Sequence, residues 1–264
     1  MLNKIKMVLA GTLTIAMVGL GVAAYNGQVG TIPFPEQTED FLRPLLYNAN
    51  TAENGIDTVV EETGAARVRR QVRNAAVEVI TPMGRGSGTL FEIDGRHVVF
   101  TAAHVINEMP VVSIAGRNGE MVFGTTILIA NNVDMAIILV PEMNSREPME
   151  FKHGSRRNID DMVGTDVTYT GFPSHHDLLT IDGVIASEED GNLVMHSYAW
   201  PGSSGAGVFD MRGNFLGVVR AVDVGVWSYQ VPPQLVEDMV WIAPAWDIDK
   251  KEIKRHLRMR GQAQ

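Results

Sequence analysis

Residues 86–106 read GSGTLFEIDGRHVVFTAAHVI. Two β-rich runs, GTLFEI and HVVFTAA, flank IDGR, where Asp-Gly suits the tight turn of a hairpin. The second run ends in small residues just before His104, which leaves an imidazole room to face a cleft. The same texture continues on both sides. AVEVI precedes this stretch, and VVSIAG, VFGTTILIA and MAIILV follow it. A second series runs DVTYTGF, LLTIDGVIAS, NLVMHS, GVFD, FLGVVRAV and VWSYQV, with MRGN and DVG as further turns. About a dozen short strands at this spacing predict an all-β barrel or sandwich. The polar segment 145–163 divides them into two sets of about six.

The chain has 264 residues and no cysteine, which excludes disulfides, thiolate catalysis and Cys-ligated metal sites. Its net charge of −9 argues against general nucleic-acid binding. The charge is uneven: residues 250–264 hold six Lys or Arg and one Glu. That tail, within 246–264, reads as a short basic helix with a solvated face, less suited to touching anionic lipid. Residues 7–25 form a charge-free run behind Lys4 and Lys6. A positive start followed by an apolar run predicts a signal peptide or a membrane anchor over 1–25, with the remainder on the non-cytoplasmic side. Residues 26–65, broken by Pro33, Pro35 and Pro44, read as a stalk. ARVRRQVR (66–73) reads as a solvated face or a strand edge.

The chemistry lies in WPGSSGAG, residues 200–207. A flexible turn is one reading, since Gly and Ser are favoured where a chain bends. The other is a loop presenting a nucleophilic serine. Acyl transfer by serine needs a base, a group to orient that base, and N–H donors aimed at the developing oxyanion. With Ser204 as nucleophile, the N–H groups of Gly202 and Ser204 converge on one point. With Ser203 the pair would include Pro201, which has no N–H. His104 is the candidate base. Asp134, heading the apolar run MAIILV, is the candidate orienting acid, because a carboxylate there needs a partner. The order His104, Asp134, Ser204 differs from the Ser-acid-His order of an α/β-hydrolase.

The segments GSGTLFEIDGRHVVFTAAHVI, VDMAIIL and WPGSSGAGVFDMRGNFLGVV together resemble the trypsin-like serine proteases of the chymotrypsin fold, nearer the HtrA-type and viral branches than the digestive enzymes. Their TAAH, D-x-A and G-x-S-G signatures occur in order over roughly 75–240. The resemblance implies two six-stranded antiparallel β-barrels, about 66–150 and 163–245, in a protease domain spanning 66–245. It implies a serine endopeptidase acting on polypeptides without cofactor or metal, with His104 as general base, Asp134 as its orienter, Ser204 as nucleophile, and Gly202 and Ser204 as the oxyanion hole. SYQVPPQLVEDM resembles the closing strand and its proline turn. Tyr198 is implied at the base of the primary pocket, and Arg220, Ala221 and Val222 in the strand that pairs with substrate. Only about 20 residues follow this region, too few for the PDZ domain of HtrA proteins. Digestive relatives carry Asp where this chain has Ser203, so a switch that pairs that acid with a new N-terminus is not expected. His175-His176, adjacent on an extended chain, point apart and do not suggest a metal site. The competing expectation is a catalytically silent trypsin-like module used for binding or assembly at a membrane. The pattern leaves oligomeric state open.

Overall fold

A computed structural model describes residues 63–152, 158–173, 176–225 and 234–261. The expected anchor over 7–25 and the stalk up to residue 62 lie outside these residues. No helix among the described residues is long and apolar enough to cross a membrane.

Six strands close a first barrel: β1 (Ala76–Thr81), β2 (Gly84–Ile93), β3 (Arg96–Ala102), β4 (Val111–Ala115), β5 (Met121–Ala130) and β6 (Met135–Leu139). Their order is β1-β4-β5-β6-β3-β2, and the antiparallel β1–β2 pair closes it. A two-residue strand, β7 (Met149–Glu150), lies parallel on β2. The second barrel runs β10-β13-β12-β11-β8-β9. Its strands are β8 (Asp166–Gly171), β9 (Leu179–Glu189), β10 (Asn192–His196), β11 (Gly207–Asp210), β12 (Phe215–Gly225) and β13 (Gln234–Pro244). Two hairpins turn on Asp-Gly pairs with both φ angles positive: Asp94-Gly95 at 51° and 72°, and Asp190-Gly191 at 49° and 77°. These are the torsions that match the right-handed twist of the flanking strands.

Alternation sorts the side chains between two burial sites. Leu90, Val99 and Ile138 fill the first barrel with Val77, Val79 and Ile114. Their neighbours Phe91, Phe100 and Ile137 face the other way, into a cluster shared with Phe209, Phe215 and Val218 of the second barrel. Both faces of β2, β3 and β6 are thus covered, and their sequences read as nearly unbroken apolar runs. Five rings, Phe91, Phe100, Phe151, Phe209 and Phe215, meet between the barrels at centroid distances of 4.9 to 6.0 Å. The interior of the second barrel is separate, built on Tyr169, Ile185, Leu193, Val208, Leu216 and Ile242.

Three sequence expectations need correction. ARVRRQVR is neither a loose face nor a strand edge but lies in helix α1 (Gly64–Ala75), capped by the Thr63 hydroxyl accepting from the Ala66 N–H at 3.2 Å. Val68, Val72 and Ala75 recur at helical spacing and enter the shared cluster. Arg69 meets Asp182 of β9 at 2.8 Å. The C-terminal helix α3 (Lys250–Gly261) is basic as expected but not simply solvated, since Ile253 and Leu257 bury in the same cluster. Asp249 caps it, accepting from the Lys251 N–H at 2.8 Å, and Lys254 pairs with Asp94 at 2.6 Å. The expected run VWSYQV lies outside the described residues; of SYQVPPQLVEDM, the described part QLVEDM opens the closing strand β13. DVG is no turn: Asp223, Val224 and Gly225 extend β12 and pair with Val236, Leu235 and Gln234.

Candidate active site

The cleft is built from both barrels. β3 ends at Ala102 and gives way to the short helix α2 (Ala103–Ile106), which carries His104. The chain then passes β4 and β5 and a single 3-10 turn (Asn131–Val133) before Asp134, whose φ of +50° turns it back toward β3. Left-handed torsions are uncommon outside glycine, and Asp is among the residues that tolerate them.

Asp134 grips the start of α2 at three points. Its main-chain carbonyl accepts from the Ala103 N–H at 3.1 Å. Its Oδ1 accepts from the His104 N–H at 3.0 Å, and its Oδ2 meets His104 Nδ1 at 2.8 Å. A carboxylate at Nδ1 fixes the tautomer with that nitrogen protonated and leaves Nε2 as a proton acceptor. Burial works to raise the Asp134 pKa. The His104 ring and N–H, with the Arg220 charge, outweigh it and hold the carboxyl below its usual range.

Arg220 was expected only as part of the strand that pairs with substrate. Its side chain turns toward Asp134, with Nε 3.5 Å from Oδ2, and its Nη1 donates to Asn192 Oδ1 at 2.8 Å. Arg220, Ala221 and Val222 line an open groove of about 640 Å³ with Asn132, Asp190 and Trp241. Tyr198 lies outside that lining and is 42% exposed.

The two serines of WPGSSGAG occupy different surroundings. Ser203 is 1% exposed. Its Oγ accepts from the Trp200 N–H at 3.3 Å and acts on the nearby Tyr169 phenol, which donates to the Tyr198 carbonyl. Burial pushes the Tyr169 phenol up to about 12. Ser204 is partly exposed. Among the described residues, the N–H groups of Gly202 and Ser204 have no hydrogen-bond acceptor, whereas those of Ser203, Gly205 and Ala206 donate to Trp200, Val219 and Ser203 carbonyls. Two adjacent free donors at a cleft can stabilise an oxyanion.

The loop seats against the strand end that carries His104. A Cβ on Gly205 would lie 2.2 Å from Thr101 Oγ1 and 2.9 Å from the Ala102 nitrogen. A Cβ on Gly86 would touch both Val105 and the Ser204 carbonyl. No hydrogen bond joins Ser204 to His104 among the described residues.

The sequence reading missed Ser87. This residue, 0% exposed on β2, contacts the loop at two places and is itself held by Thr101 and Phe172. The signal was a lone serine between glycines in RGSGT, but nothing local says what it faces. His196, at the end of β10, sits 3.7 Å from Asp238 with both side chains exposed.

The comparisons agree with this architecture. A solved serine endoprotease from Yersinia pestis superposes with a TM-score of 0.54 at 20% identity, over 74% of this chain and 67% of its own. That likeness concerns the fold. No curated protein matches the chain in sequence. The family described as the trypsin-like peptidase domain matches residues 86–218, which include His104, Asp134, Gly202 and Ser204, and the chain belongs to that family.

Proposed function

We propose that the protein is a serine endopeptidase that hydrolyses peptide bonds through an acyl-enzyme. Ser204 Oγ attacks the scissile carbonyl. His104 Nε2 takes the hydroxyl proton and returns it to the leaving amine. Asp134 holds the ring with Nδ1 protonated and stabilises the imidazolium that forms. The Gly202 and Ser204 N–H groups receive the negative oxygen of the tetrahedral intermediate. Water then repeats the cycle on the ester. The observation that carries this reading is the pair of acceptorless N–H groups flanking an inward-turned Ser203, which leaves Ser204 as the hydroxyl at the cleft.

The groove beside Arg220, Ala221 and Val222 suits an extended polypeptide, with β12 as the strand it would join. The charge-free run 7–25 behind Lys4 and Lys6 supports export or anchoring, with the peptidase on the non-cytoplasmic side.

A fluorophosphonate probe tests the assignment. Wild type is expected to be labelled once, at Ser204 by peptide mapping. Ser204→Ala should take no label, and His104→Ala should be slowed by several orders of magnitude while remaining folded. A folded wild type that takes no label would support instead the catalytically silent module.

A further inference from the structure

Ser87 occupies a place that the proposed chemistry does not use. It sits on β2 of the first barrel, 115 residues before Gly202 in sequence, yet it is bonded into the nucleophile loop of the second. Its Oγ donates to the Gly202 carbonyl at 2.6 Å and accepts from the Phe172 N–H at 2.9 Å, so both roles of the hydroxyl are used. Its N–H donates to the Ser204 carbonyl at 2.8 Å. Its own carbonyl accepts from Thr101 Oγ1 at 2.7 Å.

These contacts fall on the peptide planes that decide where the loop's free donors point. The Gly202–Ser203 peptide is held at its carbonyl by Ser87 Oγ and at its N–H by the Trp200 carbonyl. The Ser204–Gly205 peptide is held at its carbonyl by the Ser87 N–H and at its N–H by the Val219 carbonyl. The intervening Ser203–Ser204 peptide, which carries the Ser204 N–H, lies between two fixed planes, and its carbonyl accepts from Ala206. Gly202 is the joint that needs restraint: at φ +103° it has access to other torsions at little cost, and a turn about it would swing its N–H out of the cleft. Ser87 Oγ fixes the carbonyl side of that joint, so it removes one of the two ways the turn could be made.

We propose that Ser87 is a positioning residue that aims the Gly202 and Ser204 N–H groups, holding the oxyanion site in its receptive form from the opposite barrel. This rests on the reading of that site given above. The hydroxyl touches neither substrate nor reacting atoms. Its effect falls on the transition state, where the aimed donors bind, and not on substrate affinity.

The test is the labelling kinetics of a fluorophosphonate across wild type, Ser87→Ala and Ser87→Thr, with the maximal rate and the half-saturating concentration resolved separately. Removing one oxyanion donor outright costs on the order of 100-fold or more in rate. Loosening its aim in Ser87→Ala should slow the maximal rate about tenfold, with the half-saturating concentration within about twofold of wild type. Ser87→Thr, which keeps a hydroxyl, should recover most of the rate. If Ser87→Ala does not fold, Ser87→Cys, with a weak donor of similar size, takes its place and is expected to fall between wild type and a tenfold loss. A rate for Ser87→Ala, or for Ser87→Cys in its stead, equal to a labelled wild type overturns the positioning role alone. So does a loss in which rate and half-saturating concentration worsen together and threonine restores neither. A wild type that takes no label overturns the oxyanion site itself and this inference with it.

Discussion

Gly205→Ala separates backbone strain from steric conflict at the nucleophile loop. Gly205 has φ +89°, and an added Cβ would lie 2.2 Å from the Ser87 carbonyl oxygen and 2.2 Å from Thr101 Oγ1. One of these atoms is main chain in a paired strand. The loop has no easy retreat either, since the Gly205 N–H is held by Val219 at 2.7 Å. Gly213 provides the comparison. Its φ is +83°, almost the same, but the nearest atom to a new Cβ is Val68 Cγ2 at 3.8 Å, an ordinary contact. Gly213→Ala should therefore cost the strain alone, about 1–2 kcal/mol. Gly205→Ala should add an overpacking cost of about 1–3 kcal/mol, for a total of roughly 2–5 kcal/mol. Urea unfolding followed by circular dichroism measures both, with an unchanged m-value as the check that the same transition is observed. The functional consequence diverges as well. Folded Gly205→Ala should label slowly with a fluorophosphonate, because the loop must lift from Thr101 to admit the methyl, while Gly213→Ala should label as wild type. Equal destabilisation of the two variants, or wild-type labelling by Gly205→Ala, would refute the claim that the loop is wedged between Ser87 and Val219.

Asp134→Asn should keep the fold and lower kcat by about 10³- to 10⁴-fold, because the amide favours the wrong His104 tautomer; steady-state kinetics beside an unfolding curve decide it. The lowered pKa values of Asp134, Asp182 and Glu120 predict acid sensitivity. Their folded forms bind protons less readily than the unfolded chain, so the stability they contribute is full at neutral pH and is lost from about pH 5 downward. Urea midpoints against pH should show that fall, with a smaller acid-dependent loss in Asp134→Asn and also in Arg220→Gln, where the folded carboxyl keeps less of its preference for the charged form. Tyr169 has the opposite sign: raised from 10.0 to about 12, it contributes stability below pH 10 that is lost as pH rises toward 12. Two pH units correspond to about 2–3 kcal/mol, and Tyr169→Phe should flatten that alkaline loss. Leu257→Ala, in the core-facing side of α3, should cost about 2–4 kcal/mol in the same urea assay; a loss under about 0.5 kcal/mol would mean the helix adds little to the core.

Most strands were legible because alternation and Asp-Gly turns are local signals. β3 and β6 were legible for another reason: Val98–Phe100 and Ile137–Ile138 read as continuous apolar runs, as strands buried on both faces do. The errors fall where a charge hides a pattern. In α1 the arginines around Val68 and Val72 masked a helical period, and in β13 Glu237-Asp238 interrupt an otherwise apolar strand. The sequence singles out His104, Asp134 and Ser204 because each sits in a short stretch of distinctive composition and their order is informative, and the structure brings the first two into contact. Ser87 and the Arg220 side chain were not. What they do depends on which segment folding brings opposite, and no local pattern encodes a contact across 115 residues.

The way the loop is held also explains how Ser203 can stand where digestive relatives carry an acid. A buried carboxylate needs a countercharge, and its loop is then only as fixed as that partner. Here the support beneath Ser204 is neutral throughout. Trp200 donates to Ser203, and Tyr169 donates to the Tyr198 carbonyl. Every member has a partner, so none incurs the roughly 1–3 kcal/mol penalty of an unmet polar group. No ion has to arrive for these bonds to form. Ser87 grips the loop from the other barrel in the same manner, by a hydroxyl and a main-chain N–H. The charged groups beside the loop are Asp134 and Arg220, 3.5 Å apart, with the His104 ring bonded to the same carboxylate. Electrostatics at this site therefore concentrate on His104, Asp134 and Arg220, while the loop around Ser203 and Ser204 is held by neutral hydrogen bonds. The acid and alkaline limits of the loop should follow accordingly: Asp134 governs the first through its grip on α2, and Tyr169 the second through its grip on Tyr198.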